Sequence, residues 1–364
     1  MEKIRVKLRQ NSYDVLIGSG LLSQAGRLLK PLLPGPKSKV FVVTSPTVRR
    51  HWGERLEAAL RRAKLPFQVL EMNDGEPSKR IAPVEELAEQ MVLGGADRKS
   101  LVLAFGGGVV GDCAGFLAAI FMRGIPFIQV PTTVVAQVDA SIGGKTGVNL
   151  RTGKNLVGCF HQPKAVLVDP ALLETLEERE FRSGLFESLK CGVIRDKALF
   201  EFMAKNAGKI QDRGRKALER VIVDSVRVKA NVVSADERES DLRRILNFGH
   251  TVGHALEAAT NYSHLLHGEA VGWGMKAASD IAREVRFCSP QTDEMIQSAV
   301  GLYGPLPPVT VAAGEVIGLL KSDKKTVAGA VHFVLPQRIG KVAITGDVPV
   351  EVVHRAVERI SNHA

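Results

Sequence analysis

The stretch LVLAFGGGVVGDCAGF, residues 101–116, gives the strongest indication of the fold of the first half of the chain. Its apolar beginning, LVLAF, has the length and composition of a buried strand, and Gly106, Gly108 and Gly111 follow in the spacing G-x-G-x-x-G. Glycines at a strand-to-helix turn let the backbone approach a pyrophosphate, and the helix N-terminus adds free N–H groups. The stretch therefore predicts a nucleotide-binding strand, turn and helix, with a glycine-rich turn that binds nothing as the alternative.

The acidic residue that usually binds the ribose about 20 positions after such a turn is missing, because FIQVPTT (127–133) holds no Asp or Glu. Asp74 and Glu76, which follow the apolar run PFQVL, are the candidates to accept the ribose hydroxyls instead. The motif thus departs from the standard dinucleotide fingerprint.

Outward from this turn, the first half of the chain alternates strand-like and helix-like segments. EKIRVKL and YDVLI predict an N-terminal hairpin, and buried strands are predicted at VFVVT, PFQVL, LVLAF, FIQV and AVLVD. Helical periods such as VRRHWGERLEAALRRA and PVEELAEQMVLGG lie between several of them. This order predicts a parallel sheet covered on both faces, and hence a Rossmann-like α/β domain.

The pattern changes after about Pro170, where long helical periods take over. Only VHFVL and KVAI, separated by PQRIG, predict a late hairpin. The predicted organisation is therefore an α/β domain at 1–172 and a mostly α-helical domain at 173–364.

Composition excludes several classes of protein. The 364 residues are 45% hydrophobic and 24% charged, which excludes a disordered chain and a small disulfide-stapled scaffold. No apolar run reaches the ~18 residues of a membrane span, and the N-terminus lacks an apolar signal core, so a cytoplasmic protein without membrane contact is expected. The four cysteines form no C-x-x-C pair and are expected to be reduced and mostly buried.

The net charge of +10 can serve an anionic partner, which would be nucleic acid, a membrane or a small molecule, and solubility alone is the alternative. Aromatic residues make up only 5% of the chain, and no long Lys/Arg block is present, so we expect an anionic small molecule and no nucleic acid.

A second glycine stretch, Gly143-Gly144-Lys145-Thr146, is similar to the end of a phosphate-binding P-loop. The full pattern requires glycine at position 139, where Asp139 stands, so the P-loop interpretation fails. What remains is a lysine on a flexible backbone that meets an anion, or a plain surface loop.

Histidines cluster in NFGHTVGHALE and the following HLLHGEA. His250 and His254 are four apart on a predicted helix, so both imidazoles share a face, and spacing alone predicts them as a metal-ligand pair. His267 is expected in a turn. Glu187, three residues before Lys190 on one helix face, is the candidate carboxylate ligand. Buried structural histidines and an ordinary surface ion pair are the alternatives.

In order along the chain, these stretches resemble the 3-dehydroquinate synthase family of sugar phosphate cyclases. The matching motifs cover most of the chain: DGEPSK (74–79), GGGVVGD (106–112), MRG (122–124), VPTT (130–133), QVDASIGGKTGVN (137–149), GKNLVG (153–158), ETLEEREFRSGLFESLK (174–190), RRILNFGHTVGHALE (243–257), HGEAVGWGM (267–275) and DKK (323–325). Two departures are Ala140 in place of a serine and the wording GLFESLKCGVI around Glu187 and Lys190.

The resemblance implies an N-terminal NAD-binding α/β domain, a helical C-terminal domain and an active site in the cleft between them. The implied metal ligands are Glu187, His250 and His267, so His254 faces the substrate instead. The implied catalytic residues are Lys145, Lys190, Lys229, His254 and Asn155. The implied substrate-binding residues are Arg123, Asp139, Arg243, Asn247 and Lys324, with Lys325 as the alternative to Lys324. The implied NAD contacts are Asp74, Gly75, Glu76, Pro77, Ser78, Lys79, Gly106, Gly107, Gly108, Val109, Val110, Gly111, Asp112, Thr132, Thr133, Lys145, Lys154, Leu172, Leu173, Glu174 and Thr175.

The implied reaction belongs to the shikimate pathway and converts 3-deoxy-D-arabino-heptulosonate 7-phosphate into 3-dehydroquinate and phosphate. NAD takes a hydride from C5, phosphate is eliminated, the hydride returns, and an intramolecular aldol reaction closes the ring. A divalent metal, zinc or cobalt, polarises the C4 and C5 oxygens. The family also implies a homodimer in which Arg123 reaches the partner's substrate phosphate.

Three alternatives stay open at this point. They are another sugar phosphate cyclase, a metal-dependent polyol dehydrogenase of the glycerol dehydrogenase type, and a catalytically silent nucleotide- or nucleic-acid-binding relative.

Overall fold

A computed structural model describes residues 1–322 and 331–362 of the chain. The predicted anchor Lys324 and its neighbour Lys325 lie outside the described residues. The chain divides into two compact units, Met1–Leu176 and Glu177–Ala364. The division falls at 176/177, whereas the sequence predicts a boundary at 172/173.

Unit 1 is built on a seven-stranded sheet in the order β1-β2-β9-β6-β5-β3-β4. Every neighbouring pair is parallel except the N-terminal hairpin of β1 and β2. The sheet strands are β1 (Glu2–Val6), β2 (Tyr13–Ile17), β3 (Val40–Thr44), β4 (Phe67–Glu71), β5 (Leu101–Gly106), β6 (Phe127–Pro131) and β9 (Ala165–Val168). The predicted strands and hairpin are thus present.

The central strands are mostly apolar and buried along their whole length, because the sheet is covered on both faces. Along β3, Val40 and Val42 pack into one buried cluster, while Phe41 and Val43 point to the other face and a second cluster. Every residue of β3, β5, β6 and β9 is buried. This is the pattern expected of parallel strands between two helical layers.

The helices of unit 1 are short and follow the predicted periods. They are α1 (Ala25–Leu29), α2 (Pro46–Val48), α3 (Glu54–Arg62), α4 (Ile81–Leu93) and α5 (Gly108–Ile120).

A separate antiparallel hairpin, β7 (Lys145–Leu150) with β8 (Gly153–Phe160), was not predicted. The prediction of a flexible backbone at Lys145 is wrong, because Lys145 is the first residue of β7 and pairs with Phe160. The buried positions of β7 are Thr146–Asn149, a run containing glycine and two polar residues. Such a run carries no alternating hydrophobic signal.

Unit 2 consists mainly of helices, with one late hairpin as predicted. The helices are α6 (Glu178–Ile194), α7 (Lys197–Lys205), α8 (Ala207–Gln211), α9 (Arg215–Ala235), α10 (His250–Ala259), α11 (His267–Glu284), α12 (Pro290–Leu302), α13 (Ala313–Ser322) and α14 (Val350–Asn362). The hairpin is formed by β10 (Phe333–Arg338) and β11 (Lys341–Thr345). Across the described ranges, no helix combines enough length and apolar character to cross a bilayer. Of the four cysteines, Cys159 is exposed and the other three are buried.

Helices α10 and α11 touch backbone to backbone. A Cβ at Gly274 would lie 1.7 Å from the carbonyl oxygen of Gly249, and one at Gly253 would lie 2.8 Å from that of Ala270. Residue 274 therefore has to be glycine for the two helices to approach this closely.

We expect Gly274→Ala to destabilise the chain by about 1–3 kcal/mol, because the added methyl group must push α10 and α11 apart. Thermal unfolding followed by circular dichroism should show a lower midpoint. Gly318→Ala is the control, because a Cβ at this exposed position in α13 meets nothing within 4 Å. It is expected to raise stability by up to about 1 kcal/mol. Equal midpoints for the two variants would contradict the packing argument.

Candidate functional site

The predicted NAD residues of unit 1 follow the carboxyl ends of four parallel strands. Residues 74–79 come after β4, 106–112 at the end of β5, 132–133 after β6, and 172–175 after β9. Carboxyl ends of parallel strands share one edge of a sheet, and ligands of such sheets bind outside that edge. The structure therefore brings four sequence-distant segments to one place.

Specific contacts connect these segments. The N–H of Thr132 donates to the carbonyl oxygen of Gly106 at 3.0 Å. A Cβ at Gly107 would lie 3.0 Å from Cγ2 of Thr133, so the glycine turn and the segment after β6 are in contact. The Lys79 ammonium donates to Oδ2 of Asp112 at 2.5 Å, which ties the loop after β4 to the N-terminal half of α5.

Charge at this edge is balanced around Lys79. Burial lowers the pKa of the Lys79 ammonium, but Asp112 and Glu76 outweigh it and hold that pKa above its ordinary value. Asp74, a candidate ribose acceptor, accepts a hydrogen bond from Oγ1 of Thr47 at 2.8 Å. Thr47 was not singled out from sequence.

Arg123 lies at the other end of α5 from the glycine turn. It occupies the turn Phe121–Arg123 with a left-handed φ of 69° and leads into the amino end of β6. A helix of the length of α5 spans roughly 20 Å, so the residues at the carboxyl edge are far from Arg123 within this unit. Asp139, in contrast, is close to Asp112: burial raises the pKa of the Asp112 carboxyl, and the charges of Glu76 and Asp139 add to that effect.

In unit 2, Glu187 and Lys190 lie one turn apart on α6 and are almost completely buried, each with 1% of its side chain exposed. The Lys190 ammonium donates a short hydrogen bond to Oε2 of Glu187. The alternative that Glu187 and Lys190 form an ordinary surface ion pair is therefore wrong. A buried carboxylate is costly unless it is compensated, so this pair belongs to a charged site.

Two imidazoles face the other oxygen of the same carboxylate. Nε2 of His250 lies 3.6 Å and Nε2 of His267 lies 3.5 Å from Oε1 of Glu187. That Oε1 atom is buried and accepts no hydrogen bond. Two neutral imidazoles and one carboxylate oxygen around a common point are a donor set for a divalent transition metal, so the residues fit the metal that the resemblance implies.

The remaining ring nitrogens have oxygen partners that orient the imidazoles. Nδ1 of His250 lies 3.1 Å from the carbonyl oxygen of Phe248, and Nδ1 of His267 lies 3.4 Å from Oε2 of Glu257. A proton on each Nδ1 leaves the Nε2 lone pairs for a cation. Glu257 was missed from sequence, although it stands one helical turn after His254.

The field at His267 favours positive charge. Burial lowers its pKa, but Glu187 and Glu257 outweigh that effect and raise the pKa of the imidazole to about 10. Burial likewise raises the pKa of the Glu187 carboxyl, but Lys190 and His267 bring it well below its ordinary value. The same charges that stabilise a proton here would stabilise a metal cation.

His254 belongs to a different group. Its ring centroid lies 5.3 Å from that of His250 and 5.9 Å from that of His267. Within the described residues, two three-residue groups have metal-ligand spacing: one joins Glu187, His250 and His267, the other His254, Glu257 and His267. Neither contains His250 and His254 together, so the pair predicted from spacing alone does not form.

His267 is the first residue of α11, where a turn was expected from sequence. The helix start is fixed by Glu269, whose Oε2 accepts the N–H of Leu266 at 2.7 Å. Arg179 on α6 in turn donates to both oxygens of Glu269, at 2.7 and 2.8 Å. These two residues, also missed from sequence, hold His267 against α6.

A tight loop carries Arg243 and Asn247. Asp236 lies at the end of α9, and its carboxylate accepts the N–H groups of Ser240, Asp241 and Arg243 at 2.8–3.0 Å. Arg243 is buried and donates to the carbonyl oxygen of Glu237. Asn247 donates to Oε1 of Glu239 at 3.0 Å. Asp236 is therefore a further positioning residue that was missed from sequence.

Lys229 is the remaining predicted anchor in the described part of unit 2. It lies in α9 and is buried, with 7% of its surface exposed.

Comparisons with known proteins agree with this geometry. A family model described as the 3-dehydroquinate synthase N-terminal region matches residues 69–183, and one for the C-terminal region matches 184–326. The chain belongs to the 3-dehydroquinate synthase family. The 3-dehydroquinate synthase of Koribacter versatilis is 52% identical over 360 residues, covering 99% of this chain and 98% of that protein. The Solibacter usitatus enzyme is 50% identical over 98% of this chain and 99% of its own length.

A solved structure also resembles the chain. It is a 2-epi-5-epi-valiolone synthase of Streptomyces hygroscopicus with NAD+ and Zn2+ bound, 30% identical, with a TM-score of 0.90 over 98% of this chain and 99% of that one. The family resemblance and the two-part fold class predicted from sequence are confirmed.

We expect the chain to bind one zinc ion and Glu187→Ala to lose it, because the variant removes the only carboxylate of the three-residue group around Glu187. Glu257→Gln keeps all three ligands and is expected to weaken zinc binding by about 10- to 100-fold, since it alters the partner of His267 Nδ1. Competition with a chromophoric chelator measures both affinities.

The control for the zinc measurement is Glu201→Gln, on the exposed side of α7, where the carboxylate forms an ion pair with Lys197 at 3.4 Å. Its zinc affinity should equal that of the unaltered protein. Retention of zinc by Glu187→Ala would overturn the ligand assignment.

We expect Asp236→Asn to destabilise the chain by about 1–3 kcal/mol at neutral pH, because an amide cannot accept as many hydrogen bonds as the carboxylate. Burial raises the pKa of Asp236, but the three N–H groups outweigh it and hold this pKa below its ordinary value. The carboxylate therefore stabilises the fold above the unfolded-state pKa of about 3.9, and that stabilisation is lost as the pH falls further.

Thermal unfolding of the unaltered protein and of Asp236→Asn, from pH 7 to pH 3, measures the stabilisation that the Asp236 carboxylate contributes. The difference between the two midpoints should be constant near neutral pH and should begin to shrink as the pH falls below the unfolded-state pKa of about 3.9. The exposed Asp212→Asn serves as the control and should match the unaltered protein throughout. A difference for Asp236→Asn that stays constant with pH would refute the role of its charge.

Proposed function

We propose that the chain catalyses the conversion of 3-deoxy-D-arabino-heptulosonate 7-phosphate into 3-dehydroquinate and phosphate, as a carbon–oxygen lyase of the shikimate pathway. The observation that carries the proposal is the convergence of Glu187 Oε1 with Nε2 of His250 and His267 beside buried Lys190, in a chain of this family. Because the reaction uses NAD and a phosphorylated sugar, we propose that the enzyme acts in the cytoplasm.

Unit 2 is proposed as the metal- and substrate-binding domain. Glu187, His250 and His267 would hold a divalent zinc or cobalt ion and leave coordination positions for substrate oxygens. When bound, the ion supplies Lewis-acid polarisation of hydroxyl and carbonyl oxygens. Glu257 and the carbonyl of Phe248 keep the two imidazoles in the tautomer that this requires.

Unit 1 is proposed as the NAD-binding domain. The helix N-terminus at Gly108 offers N–H groups to the pyrophosphate, and the segments after β4, β6 and β9 surround the same edge of the sheet. When bound, NAD supplies a hydride acceptor that is regenerated within each turnover, since substrate and products differ by no net oxidation.

The proposed substrate carries a carboxylate and a phosphate, and buried cationic side chains can bind such anionic groups. Lys190, Lys229 and Arg243 are each at most 7% exposed, and charges interact most strongly where water is excluded. These side chains, with Lys145 and Asn247, would anchor the two anionic groups. A phosphate held by lysines can itself accept the C6 proton during elimination, so no separate carboxylate base is required.

His254 is proposed as a proton-transfer or hydrogen-bonding group toward the substrate. It lies beside the Glu187 group without belonging to it. Imidazole exchanges protons close to neutral pH, which suits a group with this role.

Arg123 is proposed to serve the substrate phosphate of a second copy in a homodimer. Its position at the end of α5 remote from the glycine turn supports this, because α5 spans roughly 20 Å.

We expect the unaltered enzyme, supplied with zinc and substoichiometric NAD, to release many phosphates per NAD from the heptulosonate phosphate. Phosphate release and the carbocyclic product are measured together. Lys190→Ala should lower turnover by about 100-fold or more, because it removes a charge beside the reacting groups, and should change NAD affinity little.

Two outcomes decide against this proposal. Stoichiometric accumulation of NADH without phosphate release would identify a polyol dehydrogenase. Turnover of a substrate that lacks the carboxylate, in preference to the heptulosonate phosphate, would identify another sugar phosphate cyclase.

A further inference from the structure

A buried asparagine near the end of β7 joins three polar groups of unit 1. Asn149 is only 5% exposed. Its backbone N–H donates to the carbonyl oxygen of Lys79 at 2.8 Å, and its Nδ2 donates to Oε1 of Glu76 at 2.7 Å. Its Oδ1 accepts the backbone N–H of Asn155 at 2.8 Å. The side chain thus uses its donor on one loop and its acceptor on another.

Lys79 also contacts Asn155 directly. Its ammonium donates to Oδ1 of Asn155 at 2.5 Å and to Oδ2 of Asp112 at 2.5 Å. Lys79, Asn155 and Asn149 therefore form a ring of hydrogen bonds, which runs from the loop after β4 to the tip of the β7–β8 hairpin.

This ring determines how Asn155 presents its amide. Asn155 has a left-handed φ of 56°, and both its N–H and its Oδ1 are bound. An ammonium can only be met by oxygen, so the NH2 group of the Asn155 side chain is left on the opposite side as a donor for a ligand.

We propose that Asn149 is a positioning residue that couples the NAD-binding loop at Glu76 and Lys79 to the orientation of the Asn155 amide. The proposal rests on the proposed function, in which the loop contacts NAD and Asn155 contacts the substrate. Asn149 touches neither ligand and acts through these two partners.

Asparagine is the residue that this position requires. Aspartate would set a second carboxylate against Glu76, and leucine would neither donate to Glu76 nor accept from Asn155. Because Asn149 is hydrogen-bonded to Glu76 on one side and to Asn155 on the other, we expect a change at Asn149 to affect both the affinity for NAD and the use of substrate.

The test is a double-mutant cycle of Asn149→Asp and Glu76→Gln. In the double variant the new amide at position 76 donates and the new carboxylate at position 149 accepts. The bond between the loops is therefore restored with reversed direction, while the acceptor for the Asn155 N–H is retained. NAD affinity is measured by calorimetry without substrate, and kcat and KM are measured by phosphate release.

We expect Asn149→Asp to weaken NAD binding and to lower kcat/KM by about tenfold or more each, the effect of a lost charged hydrogen bond. The double variant should recover most of both losses relative to Asn149→Asp. If the double variant showed no recovery, and its losses of NAD affinity and of kcat/KM were the products of those of the two single variants, the proposal would be overturned.

A matched control separates positioning from general damage to the hairpin. Thr146 is a buried polar residue of the same strand, and its Oγ1 donates to the carbonyl oxygen of Cys159 at 3.0 Å, away from both loops. Thr146→Val should lower thermal stability without changing NAD affinity. If it weakened NAD binding as much as Asn149→Asp does, Asn149 would have only a structural role.

The outcomes also distinguish this proposal from the proposed function. Recovery of NAD affinity in the cycle, with no phosphate released by any form, would support the link to the NAD loop and reject the reaction. Normal turnover by the unaltered enzyme with a purely multiplicative cycle would reject the coupling alone. Absence of NAD binding by the unaltered enzyme would overturn both.

Discussion

A carboxylate buried to 1% exposure, that of Glu187, has to be compensated for unit 2 to fold as it does. Removing such a charge from water costs several kcal/mol, and hydrogen bonds alone do not offset it here, since Oε1 accepts none. Lys190 compensates one oxygen, and His250 and His267 face the other. Helices α6, α10 and α11 are therefore brought together by chemistry as well as by apolar packing.

In the proposed function, unit 1 meets a different requirement, the binding of an anionic cofactor at a sheet edge. There the main-chain N–H groups at the glycine turn and the helix N-terminus would supply donors to the pyrophosphate. Side chains such as Lys79 and Asn149 fix the loops around that edge instead of forming a metal centre. The two units thus rely on main-chain and side-chain chemistry to different degrees.

Prediction from sequence succeeded where the signal is local. The strands β3, β5 and β6 are short, predominantly apolar runs, and the glycine turn after β5 has a spacing that few other structures need. It failed where the partners are far apart in the chain. Arg179 and Glu269 are separated by 90 residues, and Glu76 and Asn149 by 73, so no local pattern marks either pair. The hairpin β7–β8 was missed because its buried strand is polar and glycine-containing. Helical spacing also predicted His254 as the partner of His250, whereas the structure brings His267 to the Glu187 carboxylate. His267 lies on a different helix, α11, whose start depends on the distant pair Glu269 and Arg179 and is not marked by helical periodicity.

The contact between Gly274 and the backbone of Gly249 has an implication for protein engineering. Because backbone atoms of the two segments are in direct contact there, the distance between the two histidine-bearing helices cannot be shortened by substituting side chains. Redesigning the centre to favour a larger or differently coordinated ion would therefore demand new backbone geometry, whereas replacing the ligands alone would leave the spacing of the helices unaltered.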